Sequence, residues 1–260
     1  MKINRLLMTA IFSFVGVLAV AQSWMMQPQG PVNEFSAMEG TSVLNYNFQF
    51  ERNIHSRAGN GPVFYIFPDC KLDNNQALEL AENLDLVNII KEYGGRIMVV
   101  NPSSDKWQEQ DLEDFRRLIG MGSSPTNVKV IGIGSGATFV NRQLVATELA
   151  GVIAGIVSID GEPGKICRLP VPAFIGGKNA AKAAKPYQTT SDSAPADPLQ
   201  KVVVNTDKKA SLETLFAEAW DKVLSANYRY NNLYRTFYTS RGIDNPEGVK
   251  NFELVSIPVF

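Results

Sequence analysis

From residue 44 onward the chain alternates short β-branched or aromatic runs with stretches of helical period, the pattern of a largely parallel sheet covered by helices. The runs predict strands at Asn45 to Glu51, Val63 to Phe67, Arg96 to Val100, Val128 to Ile133, Gly155 to Ile159, Val171 to Ile175 and Phe252 to Ile257. Most are nearly unbroken apolar runs, as strands buried on both faces require. Helices are predicted over Asn75 to Tyr93, Asp111 to Ile119 and Ala137 to Ala150, followed by Gly94-Gly95, Gly120 and Gly151 in the position of a left-handed C-terminal cap. Ser211 is placed to cap a further helix in which Leu212, Leu215, Phe216, Ala219 and Val223 share one face. Residues 188–200, QTTSDSAPADPLQ, are the long polar stretch and are expected to form a mobile surface loop. Lys201 to Asn205 fits either an edge strand or a connector, and Tyr230, Tyr234 and Tyr238 fall at the spacing of a core-facing helical stripe. Without a repeat or a second composition regime, residues 22–260 are expected to form a single α/β domain.

The first residues follow a different rule. Lys2 and Arg5 precede an apolar run from Leu6 to Val20, and Ala19-Val20-Ala21 before Gln22 has the small-x-small form of a signal-peptidase site. The run is shorter than the ~20 residues a spanning helix needs. Residues 1–21 therefore read as a cleavable signal peptide, and the mature chain is expected to be secreted or periplasmic, with no membrane span. Export permits a disulfide between Cys70 and Cys167, with two buried thiols as the competing reading. No C-x-x-C spacing suggests a zinc or redox centre.

Composition changes the picture mainly by exclusion. At 45% hydrophobic and 20% charged the chain is an ordinary globular one, and a net charge of −1 offers no basic surface for nucleic acid. His55 is the sole histidine, which closes most chemistry that needs a histidine pair or a histidine-rich metal site.

The strongest local signal is Val128-Lys-Val-Ile-Gly-Ile-Gly-Ser-Gly-Ala-Thr-Phe, a buried strand entering a helix through a glycine-dense turn. A phosphate cradle is one reading. Yet the run Gly132-Ile133-Gly134-Ser135-Gly136 lacks both the G-x-G-x-x-G spacing and the Gly-Lys-Ser/Thr of a Walker sequence. The other reading is a nucleophile elbow, a sharp strand-to-helix turn flanked by small residues. Gly-Ile-Gly-Ser-Gly-Ala and the later Gly-Ile-Val-Ser-Ile-Asp-Gly resemble the α/β-hydrolase superfamily, and within it the secreted esterases, polyhydroxyalkanoate depolymerases and feruloyl esterases. Gly61-Pro-Val-Phe-Tyr-Ile-Phe-Pro as third strand and Arg96-Ile-Met-Val-Val-Asn-Pro as fourth extend the resemblance over roughly residues 45–180. It implies a three-layer sandwich, a mostly parallel sheet with helices on both faces.

Set against that family's Gly-x-Ser-x-Gly-Gly, the sequence departs from the pattern. The register that keeps the flanking glycines puts Gly134 where the nucleophile belongs; sliding by one to use Ser135 places β-branched Ile133 where a small residue is needed. The oxyanion-hole segment after the third strand is Phe67-Pro68-Asp69-Cys70-Lys71, in which Pro68 has no N–H and an ionised Asp69 would repel a developing oxyanion, leaving the Cys70 amide. The resemblance places the catalytic histidine after the last strand, but the sequence given stops three residues beyond Ile257. His55, between the second and third strands, belongs to the opposite edge of the sheet, roughly 16 Å or more away.

Ser135 and Asp192, the latter after the seventh strand, are the catalytic candidates that remain. Asp69, Cys70, Gly134, Ser135, Asp160 and Glu162 fall at strand C-termini, where open α/β sheets bind ligands. The competing reading for the carboxylates is helix capping and turn chemistry. Lys178, Lys182 and Lys185 read as a solvated face, and Trp107 with the later aromatics as core or as groove lining. No cofactor and no metal is implied. The expected function is a non-hydrolytic binding or accessory module for an extracellular polymer, glycan or ester. The alternatives are an active ester hydrolase using Ser135 and a structural assembly subunit.

Overall fold

The computed structural model describes residues 36–37, 43–47, 62–93, 96–121, 128–192, 202–225, 228–230 and 237–239. The predicted signal peptide, His55, Tyr234, residues 193–200 of the predicted loop and the strand expected at Phe252 to Ile257 lie outside them.

Eight strands form one sheet in the order β1-β2-β4-β3-β5-β6-β7-β8. They are β1 (Ser36–Ala37), β2 (Val43–Asn47), β3 (Val63–Phe67), β4 (Arg96–Val100), β5 (Val128–Ile133), β6 (Ile153–Ile159), β7 (Ala173–Gly176) and β8 (Val202–Asn205). β2 runs antiparallel to β4, and every pairing from β4 through β8 is parallel. Lys201 to Asn205 therefore supplies an edge strand rather than a connector.

The strands are buried on both faces because helices cover both. Phe64 and Ile66 point into one core with α1 (Asn74–Asn83), α2 (Leu86–Tyr93) and α7 (Leu212–Ala219). Tyr65 and Phe67, alternating with them as the pleat demands, enter a second core with α3 (Glu109–Met121), α4 (Ser135–Phe139), α5 (Ala180–Ala183) and α6 (Lys185–Asp192). The expected three-layer α/β sandwich is the observed architecture.

Local chemistry explains where helices start and where the expected boundaries shift. Asp73 caps α1, its carboxylate accepting from the Asn75 and Gln76 amides at 2.9 Å while Gln76 Oε1 accepts from the Asp73 amide. Ser211 caps α7 by accepting from the Thr214 amide. The single helix expected over Asn75 to Tyr93 is instead two, broken at Leu84–Asp85, where Asp85 takes a φ of 54° and accepts from the Asn88 side chain at 2.7 Å. Gly120 lies within α3 rather than capping it, and Gly151 lies inside a 3-10 turn, Glu148–Val152, without the positive φ of a cap. The polar stretch from residue 188 begins as helix, since α6 continues to Asp192. Tyr228–Tyr230 and Phe237–Thr239 form an antiparallel ribbon, β9 and β10, so Tyr230 and Tyr238 are strand residues and not a helical stripe.

Candidate functional site

β5 ends at Ile133, and the chain turns through Gly134 straight into α4, which runs on as a π-helical turn, Val140–Leu144. Gly134 has φ 56° and ψ −117°, a region that costs other residues about 1–3 kcal/mol. Its amide donates to the Ile159 carbonyl at 2.9 Å, and its carbonyl accepts from the Thr138 amide and hydroxyl, which fixes the turn between β6 and α4.

The flanking glycines are steric necessities. A Cβ at Gly132 would lie 2.6 Å from Ala137 Cα, and one at Gly136 would lie 2.0 Å from the Phe67 carbonyl oxygen. Two crowded positions bracket Gly134 symmetrically, at two residues before and two after. The same spacing about Ser135 would fall on Ile133 and Ala137. The apex of the turn is therefore Gly134. The chain has an α/β-hydrolase fold. Strand order, the antiparallel β2 and a strand–turn–helix elbow after β5 all conform to it.

What fills the elbow is the protein's own Asp69. The Ser135 amide donates to Asp69 Oδ1 at 2.6 Å, and the Ser135 hydroxyl donates to the Asp69 main-chain carbonyl. A Cβ on Gly134 would fall 2.2 Å from Asp69 Oδ1 and 2.5 Å from its Cγ. The carboxylate thus takes both the volume of an apex side chain and the N–H of the residue after the apex, which in this fold serves the oxyanion. Asp69 does more than repel an anion there: it sits in the anion's place.

The Asp69 segment is held from three sides. The Trp107 indole N–H donates to the Pro68 carbonyl at 3.2 Å, and its ring stacks on Phe139 with centroids 4.7 Å apart and lies 5.3 Å from Phe67. Trp107 is a prop beneath the loop more than a ligand surface. Buried Asn101, at the end of β4, exchanges two hydrogen bonds with the Leu72 main chain, at 3.0 and 2.8 Å. Asp73, capping α1, holds the far end.

The other candidates are distributed unevenly. Asp160, with a φ of 57°, accepts from the Lys178 amide at 2.8 Å and lies against Gly177, whose φ is 92°. Glu162 accepts from the Asn179 side chain at 2.9 Å, and its main chain binds Thr138 and Asn141. Both carboxylates perform turn chemistry, and Thr138 links Glu162 to the elbow by also donating to the Gly134 carbonyl. Asp192 is the exposed last residue of α6, whereas both hydrogen bonds of Ser135 go to Asp69. Cys70 is exposed and Cys167 buried, its thiol donating to the Leu169 carbonyl, and the two are not joined by a disulfide. Neither the disulfide nor a pair of buried thiols is formed. Lys178, Lys182 and Lys185 are exposed, as expected of a solvated face.

Two polar features went unread in the sequence. Tyr187, buried, donates to Asn141 Oδ1 at 2.8 Å, and burial raises its hydroxyl pKa well above the ordinary value, so it remains a donor. Lys129 is fully buried on β5 and was visible as one charge in the run VKVIGI. Among the described residues no group of three or more His, Cys, Asp or Glu side chains could hold a metal ion, and no helix is long and apolar enough to cross a membrane.

No family model and no curated protein matches the sequence. Solved structures do resemble it. A structure assigned as a dienelactone hydrolase from Klebsiella pneumoniae has a TM-score of 0.45 at 12% identity, over 70% of this chain and 90% of the other. An α/β hydrolase from a Medee basin deep-sea metagenome has 0.43 at 14%, over 66% and 78%. A ferulic acid esterase has 0.44 at 9%, over 70% and 90%. At this distance such likenesses carry no information on chemistry.

Proposed function

We propose that this protein is an exported α/β-hydrolase-fold module that binds an extracellular polymer, glycan or ester without hydrolysing it, on the esterase and depolymerase branch of the fold. The observation that carries the reading is the Asp69 carboxylate on the Ser135 amide at 2.6 Å, over a Gly134 apex that has no side chain. Acyl transfer needs a nucleophile at the apex and open donors beside it. Here the apex offers neither a hydroxyl nor a thiol, and one donor is engaged internally. Ser135 is a poor substitute, because its hydroxyl proton is directed at a carbonyl, which cannot act as a general base. In this reading Asp69, Cys70, Gly134, Ser135, Asp160 and Glu162, at or after the C-terminal ends of the strands, serve as a recognition surface. The Leu6 to Val20 run and Ala19-Val20-Ala21 support export, with a mature terminus near Gln22.

The test is hydrolysis of short p-nitrophenyl acyl esters and feruloyl sugars by the purified mature chain. Release at the rate of the buffer blank, unchanged by Ser135→Ala, is expected. Turnover abolished by Ser135→Ala would overturn the reading in favour of an active ester hydrolase.

A further inference from the structure

Lys129 stands apart from every other charged residue described, because it is fully buried in the middle of the sheet. Its neighbours Val128 and Val130 face the core containing α3 and α4. Lys129 alternates with them and, like Ile131, is directed to the opposite layer, where α7 and its π-helical extension, Trp220–Leu224, lie. Its Nζ donates to the Leu224 carbonyl at 2.6 Å. That carbonyl belongs to the last turn of the helix, where main-chain acceptors have no intrahelical partner.

The surroundings are shaped for this contact. In the sheet register Lys129 is flanked by Phe64 on β3 and by Gly155 on β6. A Cβ at Gly155 would meet Leu224 Cδ2 at 3.1 Å and Val223 Cγ1 at 3.7 Å, so the glycine makes the room that lets the helix end approach the strand. Phe64 and Trp220 pack with centroids 6.3 Å apart on the same side.

Among the described residues no carboxylate pairs with the amine. Asp221 and Lys222 on the π-helical turn are exposed, and Glu218 binds Lys222 and Asn205. On β3 the titratable residue is Tyr65, which faces the opposite core, and on β6 there is none. β9, which lies against β6, has the sequence Tyr228-Arg229-Tyr230. Burial lowers the Lys129 pKa to about 7.

We infer that Lys129 is a proton-controlled clasp: the neutral amine fastens the C-terminal end of α7 to the centre of the sheet, and protonation favours a state in which that end is detached and the ammonium is in water. The device opens as pH falls toward neutrality, because the detached lysine binds a proton more readily than the buried one. Below neutrality both states are charged and the dependence levels off. With the clasped and free lysine titrating near 7 and about 10.4, the opening equilibrium should fall roughly fifty-fold between pH 7 and pH 9.

Hydrogen exchange of the full mature chain, corrected for intrinsic rates, tests this over residues 212–225. Protection of this segment should increase roughly fifty-fold from pH 7 to pH 9 in the wild type while staying below that of β3 to β5, which exchange through global unfolding, and Lys129→Met should abolish the increase. The idea is overturned by a pH-independent segment, by the same dependence in Lys129→Met, or by a segment as protected at pH 7 as β3 to β5. Should Lys129→Met fail to fold, the side-chain NMR resonance of Lys129 in the wild type decides. A midpoint near 7 supports the clasp, and one above 10 refutes it.

Discussion

At Gly134 two constraints act on one carbon, the positive φ and the carboxylate packed where a side chain would start. Gly134→Ala must meet both, and should destabilise the protein by about 2–4 kcal/mol in urea unfolding. The contributions separate in a double-mutant cycle. Asp69→Gly removes the atoms that a Cβ would strike but leaves the backbone conformation, so Gly134→Ala should cost about 1–2 kcal/mol less in that background. A coupling near zero would mean that the backbone alone sets the cost. The glycine pattern was legible because its spacing is local. The seat of Asp69 was not, because its bond to Ser135 spans 66 residues and depends on the parallel pairing of β3 with β5. Asp160 and Glu162 were legible as strand-end residues open to ligand binding or to turn chemistry, and their partners Lys178 and Asn179 show the turn chemistry.

The element that decides the site is the loop leaving β3, and its position is set by contacts beyond itself. Trp107 stacks on Phe139, packs tilted against Phe67 and donates to the Pro68 carbonyl, so Trp107→Ala removes a ring and a hydrogen bond together. It should lower stability by about 2–4 kcal/mol and speed amide exchange across residues 69–73, while Trp107→Phe, which keeps most of the stack, should cost no more than about half as much. Equal effects of both variants would assign the restraint to the indole N–H. Asp73→Ala should cost about 1 kcal/mol, through loss of the α1 cap. From β3 to β7 the strands were legible to within about two residues of their ends, because unbroken apolar runs mark doubly buried strands, whereas β2 begins at Val43, two residues before the run predicted from Asn45, whose residues 48–51 lie outside the described residues. Helix ends were read less well. Asp85 breaks a pattern whose apolar spacing continues past it, and Gly120 sits inside a helix whose packing through Phe115, Leu118 and Ile119 outweighs its weak propensity. The tyrosine spacing also failed, since a period near four is meaningful only if the segment is helical, and Tyr228–Tyr230 pairs with Phe237–Thr239.

Across the whole molecule the sheet separates two apolar cores, and Lys129 places a titrating amine within one of them. Its folded pKa, lowered to about 7, lies below the unfolded value of about 10.4, so the unfolded chain binds more protons between those limits. Stability from this group therefore rises with pH across the window and is flat below it, where lysine is charged in both states. The span corresponds to a few kcal/mol, about 5 by the conversion of about 1.4 kcal/mol for each pKa unit. Urea unfolding of the wild type at pH 7 and pH 9 should show the gain directly, after subtracting the slope of Lys129→Met. That variant should also be more stable than wild type at pH 7, by about 1–3 kcal/mol, because an apolar side chain of similar length fills the site without a charge, although the Leu224 carbonyl loses its donor. If Lys129→Met instead lowers stability at pH 7, the hydrogen bond to the helix end outweighs the desolvation of the amine. Its value would then lie in joining α7 to the sheet rather than in releasing it.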